Sequence, residues 1–66
     1  MSWYYKISHP EHLKDGDEET DFETYDDAYE AMCERMTDLV NEIAELHPEK
    51  TDEEIEEEID WEVKEE

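Results

Sequence analysis

The sequence predicts an α+β fold in which a small three-stranded sheet carries one long and one short helix packed on one face, in the order ββααβ. Three observations predict it. Both ends of the 66-residue chain alternate apolar and polar residues with a period of two, as strands do. Between them, apolar residues recur at helical spacing over a long stretch, and a shorter helical pattern follows. A chain of this length forms one domain at most, which we assign to residues 1–66.

The first and last strands are predicted from aromatic and β-branched residues at alternate positions. Residues 3–8, WYYKIS, place Trp3, Tyr5 and Ile7 on one side of a strand. Near the other end the apolar period changes from four to two, and the alternating apolar residues are Ile59, Trp61 and Val63. Because the two trios match, we expect these strands to pair as neighbours with both trios facing a core, and Lys6 or Lys64 to meet a facing acid.

A second strand is expected to return from the first. His9-Pro10 ends the first pattern, and Asp15-Gly16 has the composition of a turn. The ETDFET segment at residues 19–24 would then form a short strand around Phe22.

The long helix is predicted to begin after Thr24, a capping residue with Asp27 three positions later, and to end at His47-Pro48. Met36 and Ile43, near the middle of its apolar stripe, are predicted to be buried. The stripe consists of Tyr25, Tyr29, Met32, Met36, Leu39, Val40, Ile43 and Leu46.

The short helix is predicted from a second capping pattern, Thr51 followed by Glu54. Ile55 and Ile59, four positions apart, share one of its faces. Acids in its first turn favour the helix dipole.

Negative charge dominates the composition. The chain has 25 acids against 5 basic residues, for a net charge of −20. The first 14 residues carry Lys6 and Lys14 against Glu11, a sum of +1, so the remaining 52 residues hold −21. The acidity therefore belongs to the helical and C-terminal part of the chain. At 100° per residue, a row of acids on the long helix lies opposite the apolar stripe, and acids of the short helix face away from Ile55. We predict that these eight residues, called the acidic face below, bind a partner: Asp27, Glu30, Glu34, Asp38, Glu45, Glu53, Glu54 and Glu57.

The alternative for the acidic face is a surface that only keeps the protein in solution. Like charges four residues apart destabilise a helix by about 0.2–0.5 kcal/mol per pair, and high net charge opposes compaction. Solubility needs far fewer acids than this chain carries. An external requirement therefore explains the acids better.

Catalytic and cofactor-binding patterns are absent from the sequence. Gly16 is the only glycine, so there is no phosphate-binding loop, and no nucleophile or zinc-protease motif occurs. A catalytic carboxylate needs a sheltered pocket that tunes its pKa, and so small a domain has little room for one. We expect no enzyme activity and no cofactor.

Metal-binding residue types occur, but at spacings that match no established motif. The candidates for zinc are His9, Glu11, His12, Cys33 and His47. The acids Asp15, Asp17 and Glu19 resemble a calcium loop, but Thr20 stands where such a loop needs glycine. We therefore predict loop histidines and no specific metal site. Cys33 is the only cysteine, which fits a reducing compartment and a place at the edge of the core.

The sequence predicts a cytoplasmic protein without a membrane segment. No apolar run approaches the roughly 20 residues of a membrane-spanning helix. The MSWYYKIS start lacks the basic and apolar regions of a signal peptide.

In size, charge and mixed αβ content, the whole chain resembles the small acidic DNA-mimic proteins of phages and mobile elements, which include many anti-CRISPR and anti-restriction inhibitors. The FETYDDAYEAM start of the long helix is also typical of small phage proteins. These inhibitors share no common motif, so no site residue is transferred from them. The resemblance implies an inhibitor that binds a basic nucleic-acid-binding protein or ribonucleoprotein, with a CRISPR effector as the preferred target, in the cytoplasm of the host cell and without binding nucleic acid itself.

The density of negative charge supports the view that the acidic face takes the place of a nucleic acid. B-DNA carries about one negative charge per 1.7 Å of axis, and rows of carboxylates on neighbouring helices approach that density. Lys and Arg side chains pair with carboxylates as they do with phosphates.

Two alternatives remain. Halophilic proteins are also acidic, but they tend to prefer Arg to Lys, whereas this chain has a single arginine, Arg35. An acidic adaptor or chaperone for a basic protein is the other. Either a monomer or a small homodimer, formed through Tyr4 or Trp61, is compatible with the sequence.

Overall fold

The computed structural model describes all 66 residues and has the predicted α+β architecture. One antiparallel sheet has the strand order β2-β1-β3, so the first strand lies at its centre. The predicted order ββααβ is confirmed, and both helices belong to the layer on one side of the sheet. The elements are β1 (Trp3–His9), β2 (Leu13–Phe22), α1 (Tyr25–Leu46), α2 (Asp52–Glu58) and β3 (Asp60–Glu65).

The predicted pairing of the first and last strands is confirmed. Tyr5 lies opposite Val63 and Ile7 opposite Trp61, so the two apolar trios share a face. The expected facing acid occurs for Lys6, which lies opposite Glu62. Lys64 instead lies opposite Tyr4 and forms an ion pair with Glu62 of its own strand at 3.3 Å.

Trp61 lies on the same face of the sheet as Ile7, as predicted, but at the margin of the core. Its side chain is 43% exposed, because β3 is an edge strand and α1 crosses mainly over β1.

The second strand is longer than predicted, and its turn lies elsewhere. Residues 10–12 form the turn, and β2 starts at Leu13. Asp15-Gly16 is not a turn. Gly16 instead adopts φ +77° at an irregularity where the register passes from Ile7–Asp17 to His9–Leu13. A Cβ there would lie 3.3 Å from the carbonyl oxygen of Ile7, so glycine suits both the angle and the space.

A second bulge falls in β2 near Asp21, which has φ +70°. Aspartate tolerates this left-handed backbone better than most residues. The two bulges bend the strand and allow an acidic segment without regular alternation to pair along β1.

Both predicted helix caps are confirmed. The Thr24 hydroxyl accepts a hydrogen bond from the Asp27 backbone N–H at 3.2 Å, and Thr51 accepts one from Glu54 at the same distance. His47 is the C-cap of α1, as the His47-Pro48 pair predicts. The caps fix the start of each helix and hence which residues face outwards.

The core lies between the sheet and the helices and is small. Its fully buried large side chains each stabilise the fold by roughly 1.5–3 kcal/mol; they are Ile7, Met32, Leu39, Ile43 and Ile55. The prediction of burial is confirmed for Ile43. It is wrong for Met36, which is half-buried at the margin of the core, because the buried residues of α1 centre on Leu39 and Ile43.

Neither helix combines the length and the apolar composition needed to cross a membrane.

Candidate functional site

The acidic face lies on the outer surface of the two helices. All eight of its residues are exposed. On α1, the buried residues Ala28, Met32, Leu39, Val40 and Ile43 occupy the opposite side, which is the arrangement expected from the helical period. Thr24 and Thr51 cap the two helices that carry these residues, so the carboxylates stand on regular backbone rather than on loops.

None of the eight carboxylates takes part in an ion pair. The ion pairs of the molecule instead use Asp17, Glu49, Glu58 and Glu62. Seven acids of α1 and six of α2 are accompanied by a single basic residue, Arg35, which turns away and donates to Asp17 of β2 at 2.7 Å. The charge of the helical surface is therefore not neutralised by the protein itself.

The molecule is elongated, with principal extents of 42 × 20 × 15 Å. At 1.5 Å per residue, the 22 residues of α1 account for about 33 Å of that length. Its acids therefore extend along most of the long axis of the protein.

Four aromatic rings form a continuous row beside the start of α1. Trp3 packs edge-on against Tyr25 at 5.6 Å between centroids, Tyr25 stacks on Tyr29 at 5.9 Å, and Tyr29 meets Trp61 at 5.7 Å. We call these four residues the aromatic row. Tyr25, Tyr29 and Trp61 are each about 40% exposed, so the row is an apolar surface next to the acids of the first α1 turns.

Sequence reasoning missed the aromatic row. Periodicity assigns Tyr25 and Tyr29 to the apolar stripe and Trp61 to the inward trio. The two tyrosines do lie on the sheet side of α1, and Trp61 lies on the face of the sheet that α1 covers. They are exposed because the start of α1 lies at the margin of a narrow sheet. The concentration of Trp and Tyr was the available indication, since amphipathic rings are common at interfaces.

A second polar cluster surrounds His9, which is buried. Its Nδ1 accepts hydrogen bonds from the backbone N–H groups of Glu11 and His12, both at 3.1 Å. Its Nε2–H therefore donates to Glu58 at 3.3 Å, and Lys50 donates to the same carboxylate at 2.8 Å. Glu58 thus accepts hydrogen bonds from Lys50 and His9. Both lower the pKa of its carboxyl group, and the bond from Lys50 has the larger effect. Both ring nitrogens of His9 are thus occupied.

Beyond His9, the side chains of Glu11, His12 and His47 converge. The Nε2 atoms of His12 and His47 are 3.3 Å apart, and one ligand atom from each of the three residues lies within 4.8 Å of the others. This is the one group of metal-binding side chains that the fold assembles. Cys33 is half-buried on another part of α1, where its contact with the Tyr29 hydroxyl raises the pKa of that tyrosine. Asp15, Asp17 and Glu19 do not form a cation-binding group.

The one surface groove is on the open face of the sheet, away from the acidic face. Its volume is about 170 Å³, and it is lined by Lys6, Ser8, Asp60, Trp61 and Glu62. Ligand pockets usually measure roughly 300–1,000 Å³. The groove is thus small, and its lysine and acids lie on exposed strands.

Comparison with known proteins gives no relative: no family model, no curated protein and no solved structure matches this chain.

Proposed function

We propose that this protein inhibits a nucleic-acid-binding complex by presenting the acidic face in place of DNA or RNA. The observation that carries the proposal is that eight exposed carboxylates stand on two capped helices and none is neutralised by an ion pair. The preferred target is the basic nucleic-acid channel of a host defence ribonucleoprotein, a CRISPR effector above all. Inhibition of this kind takes place in the cytoplasm, where such complexes act.

The dimensions of the protein suit a nucleic-acid channel. Its long axis of 42 Å equals roughly twelve steps of 3.4 Å along one DNA strand, and its acids follow that axis along α1. Lys and Arg residues that normally hold successive phosphates would find carboxylates at comparable intervals. Release of counterions from both surfaces favours the complex, as it does when a protein binds DNA.

The aromatic row adds an apolar contact that phosphate mimicry alone does not supply. An arginine guanidinium can pair with a carboxylate and also stack on a Tyr or Trp face. Tyr25 and Tyr29 lie immediately beside Asp26 and Glu30 in the chain. An arginine-rich channel is therefore a better partner for this edge than a lysine-rich one.

The test compares variants of equal charge. One triple variant, Glu30→Gln, Glu34→Gln and Asp38→Asn, removes three charges from α1. A control triple variant, Asp15→Asn, Glu18→Gln and Glu65→Gln, removes three exposed and unpaired charges from the strands. Labelled target DNA is bound to a guide-loaded effector, and each variant is titrated in as competitor.

We expect the α1 variant to displace DNA at least tenfold less well and the strand variant to compete nearly as well as the parent. The α1 variant should also be at least as stable as the parent, because repulsion along the helix is relieved. A third variant, with Glu53, Glu54 and Glu57 changed to Gln, should behave like the α1 variant. Equal loss in helix and strand variants would contradict a defined interface, and full inhibition by all of them would contradict mimicry.

The exposed aromatic row also favours a second candidate, an adaptor that stays bound to one basic protein. In that case Tyr29→Ala should weaken binding more than the α1 triple variant does, and binding should survive high salt. Capture from host lysate, followed by elution with rising salt, distinguishes the two modes, because a complex held by charge elutes early.

A further inference from the structure

Two histidines from distant parts of the chain meet at one end of the molecule. His12 lies in the turn between β1 and β2, and His47 caps the C-terminal end of α1. Their Nε2 atoms face each other at 3.3 Å, and both side chains are half-buried. Glu11, next to His12, brings a carboxylate oxygen within 4.8 Å of one ring nitrogen of each histidine.

The separation of the two nitrogens is the one that a shared metal ion requires. Zn–N bonds measure 2.0–2.1 Å, so two imidazole nitrogens at a tetrahedral angle lie roughly 3.3–3.4 Å apart. Two histidines and a carboxylate form a known zinc ligand set that leaves a fourth position for water. Glu11 is exposed, so its side chain can rotate to shorten its distance to the ion.

A further carboxylate orients His47 for this role. Oε1 of Glu49 lies 3.3 Å from Nδ1 of His47. A proton on Nδ1 that is donated to this carboxylate leaves the lone pair of Nε2 directed at His12. Ligating histidines in proteins usually have such a partner on their second nitrogen.

His9 fixes the turn that carries Glu11 and His12 by accepting two backbone hydrogen bonds from it. Both backbone N–H groups that donate to His9 Nδ1 belong to the ligand residues Glu11 and His12. The remaining nitrogen of His9 is occupied by Glu58. His9 therefore positions the turn and is not itself a ligand, although the sequence alone makes it a natural partner of His12.

We propose that Glu11, His12 and His47 bind one divalent transition-metal ion, of which Zn²⁺ is the natural case. Imidazole nitrogens select such ions over Mg²⁺ and Ca²⁺, which prefer oxygen ligands. The net charge of −20 attracts cations to the site. The bound ion joins the β1–β2 turn to the end of α1. This site is independent of the acidic face and of the proposed function.

The site is tested with untagged, chelator-treated full-length protein titrated with Zn²⁺ and Co²⁺ in buffer containing excess Mg²⁺, which occupies the carboxylate surface. Calorimetry should give one Zn²⁺ per chain, and Co²⁺ should give the visible absorption of a four-coordinate site. His12→Gln and His47→Gln should each lower the affinity at least tenfold, and Glu49→Gln by about tenfold. Glu42→Gln, which removes one exposed charge from α1, should bind as the parent does.

Three outcomes would overturn the proposal. Binding of several ions per chain, unchanged by the histidine variants, would mean that cations condense on carboxylates. No Zn²⁺ binding in the presence of Mg²⁺ would mean that His12 and His47 share only a hydrogen bond. NMR of the parent protein gives a readout that does not depend on the folding of variants. The ring signals of His12 and His47 should shift when Zn²⁺ is added, and a spectrum in which neither moves would refute the site.

Discussion

Tyr5 is a core residue with a polar end. Its side chain is almost fully buried, and its hydroxyl donates to Glu19 of β2 at 3.1 Å. Burial, followed by the hydrogen bond and charge of Glu19, raises the pKa of Tyr5 to about 12. Asp17 adds to the shift, and Arg35 opposes it. The phenol thus stays neutral over a wider pH range in the folded protein than in the unfolded chain.

This shift predicts a loss of stability at alkaline pH. The unfolded chain releases the Tyr5 proton near pH 10 and the folded protein near pH 12. Between these values the folded state binds more protons, so the free energy of unfolding falls as the pH rises, by up to about 2–3 kcal/mol. Denaturant melts from pH 8 to 12 should show this fall in the parent and in Tyr4→Phe, and a clearly smaller fall in Tyr5→Phe, where Tyr29, whose pKa is also raised, remains. If the free energy of unfolding of Tyr5→Phe falls as much as that of the parent, groups other than Tyr5 cause the alkaline loss of stability.

At the scale of elements, β2 is the one that local sequence describes least well. Its residues LKDGDEETDF are mostly charged and do not alternate, so no pattern predicts a ten-residue strand. It forms because β1 offers a full edge for pairing, because Gly16 and Asp21 supply bulges, and because Arg35 reaches Asp17 from α1. The edge of β1 and the contact from Arg35 lie outside the segment, and the local residue pattern does not indicate them.

Gly16 should be a sensitive position of β2 although it carries no side chain. An L side chain at φ +77° costs about 1–2 kcal/mol, and a Cβ there would also press on the Ile7 carbonyl and the Lys6 side chain. We expect Gly16→Ala to lower the free energy of unfolding by at least about 1 kcal/mol in urea melts. Thr20→Ala, an exposed change in the same strand, should cost only tenths of that. Similar costs for the two variants would mean that the bulge is not at Gly16.

The long helix is the element that the sequence predicts best. Its caps, its apolar period and its final His47-Pro48 are all local features, which explains why its bounds and its acidic side were predictable. How deeply each apolar residue of α1 is buried was less predictable, because burial depends on how far the helix overlaps a narrow sheet. The same reason accounts for the missed aromatic row. The cluster of Glu11, His12 and His47 was unpredictable for another reason: only the tertiary fold joins the turn to the end of the helix.

Substitutions at Ile43 and Met36 test how the depth of burial varies along α1. Ile43 is fully buried and Met36 only partly. Ile43→Ala should cost about 2–5 kcal/mol, which is a large part of the stability of so small a domain. We expect Met36→Ala to cost clearly less and Leu46→Ala, at a residue 60% exposed, least of all. Thermal melts followed by circular dichroism give the order, and a Met36 cost equal to that of Ile43 would contradict the burial described.

At the scale of the whole molecule, charge acts on stability and on binding in opposite directions. The excess of 25 acids over 5 basic residues repels itself in the folded state. The same excess would attract the basic partner proposed above. Both effects weaken as the Debye length falls from about 14 Å at 50 mM salt to about 4 Å at 500 mM.

Salt should therefore raise the melting temperature of the free protein and lower its affinity for the target. Melts and competition assays over the same range of roughly 50 to 500 mM NaCl measure both. Chloride salts of sodium and potassium serve as mutual controls, because screening does not depend on the cation. An affinity that rises with salt would indicate an interface dominated by the aromatic row.

The central position of β1 has a consequence for biosynthesis. Ser8 pairs with Asp60 and Trp3 with Glu65, so partners in the sheet lie about fifty to sixty positions apart. At 5–20 residues per second, a ribosome needs roughly 3 to 12 s to synthesise the chain between them. The β1–β2 hairpin and α1 can form in that interval, but one edge of β1 and part of the aromatic surface stay uncovered. The high negative charge of the intervening segment keeps such nascent chains apart by mutual repulsion, and so protects the polypeptide from aggregation before β3 has been synthesised.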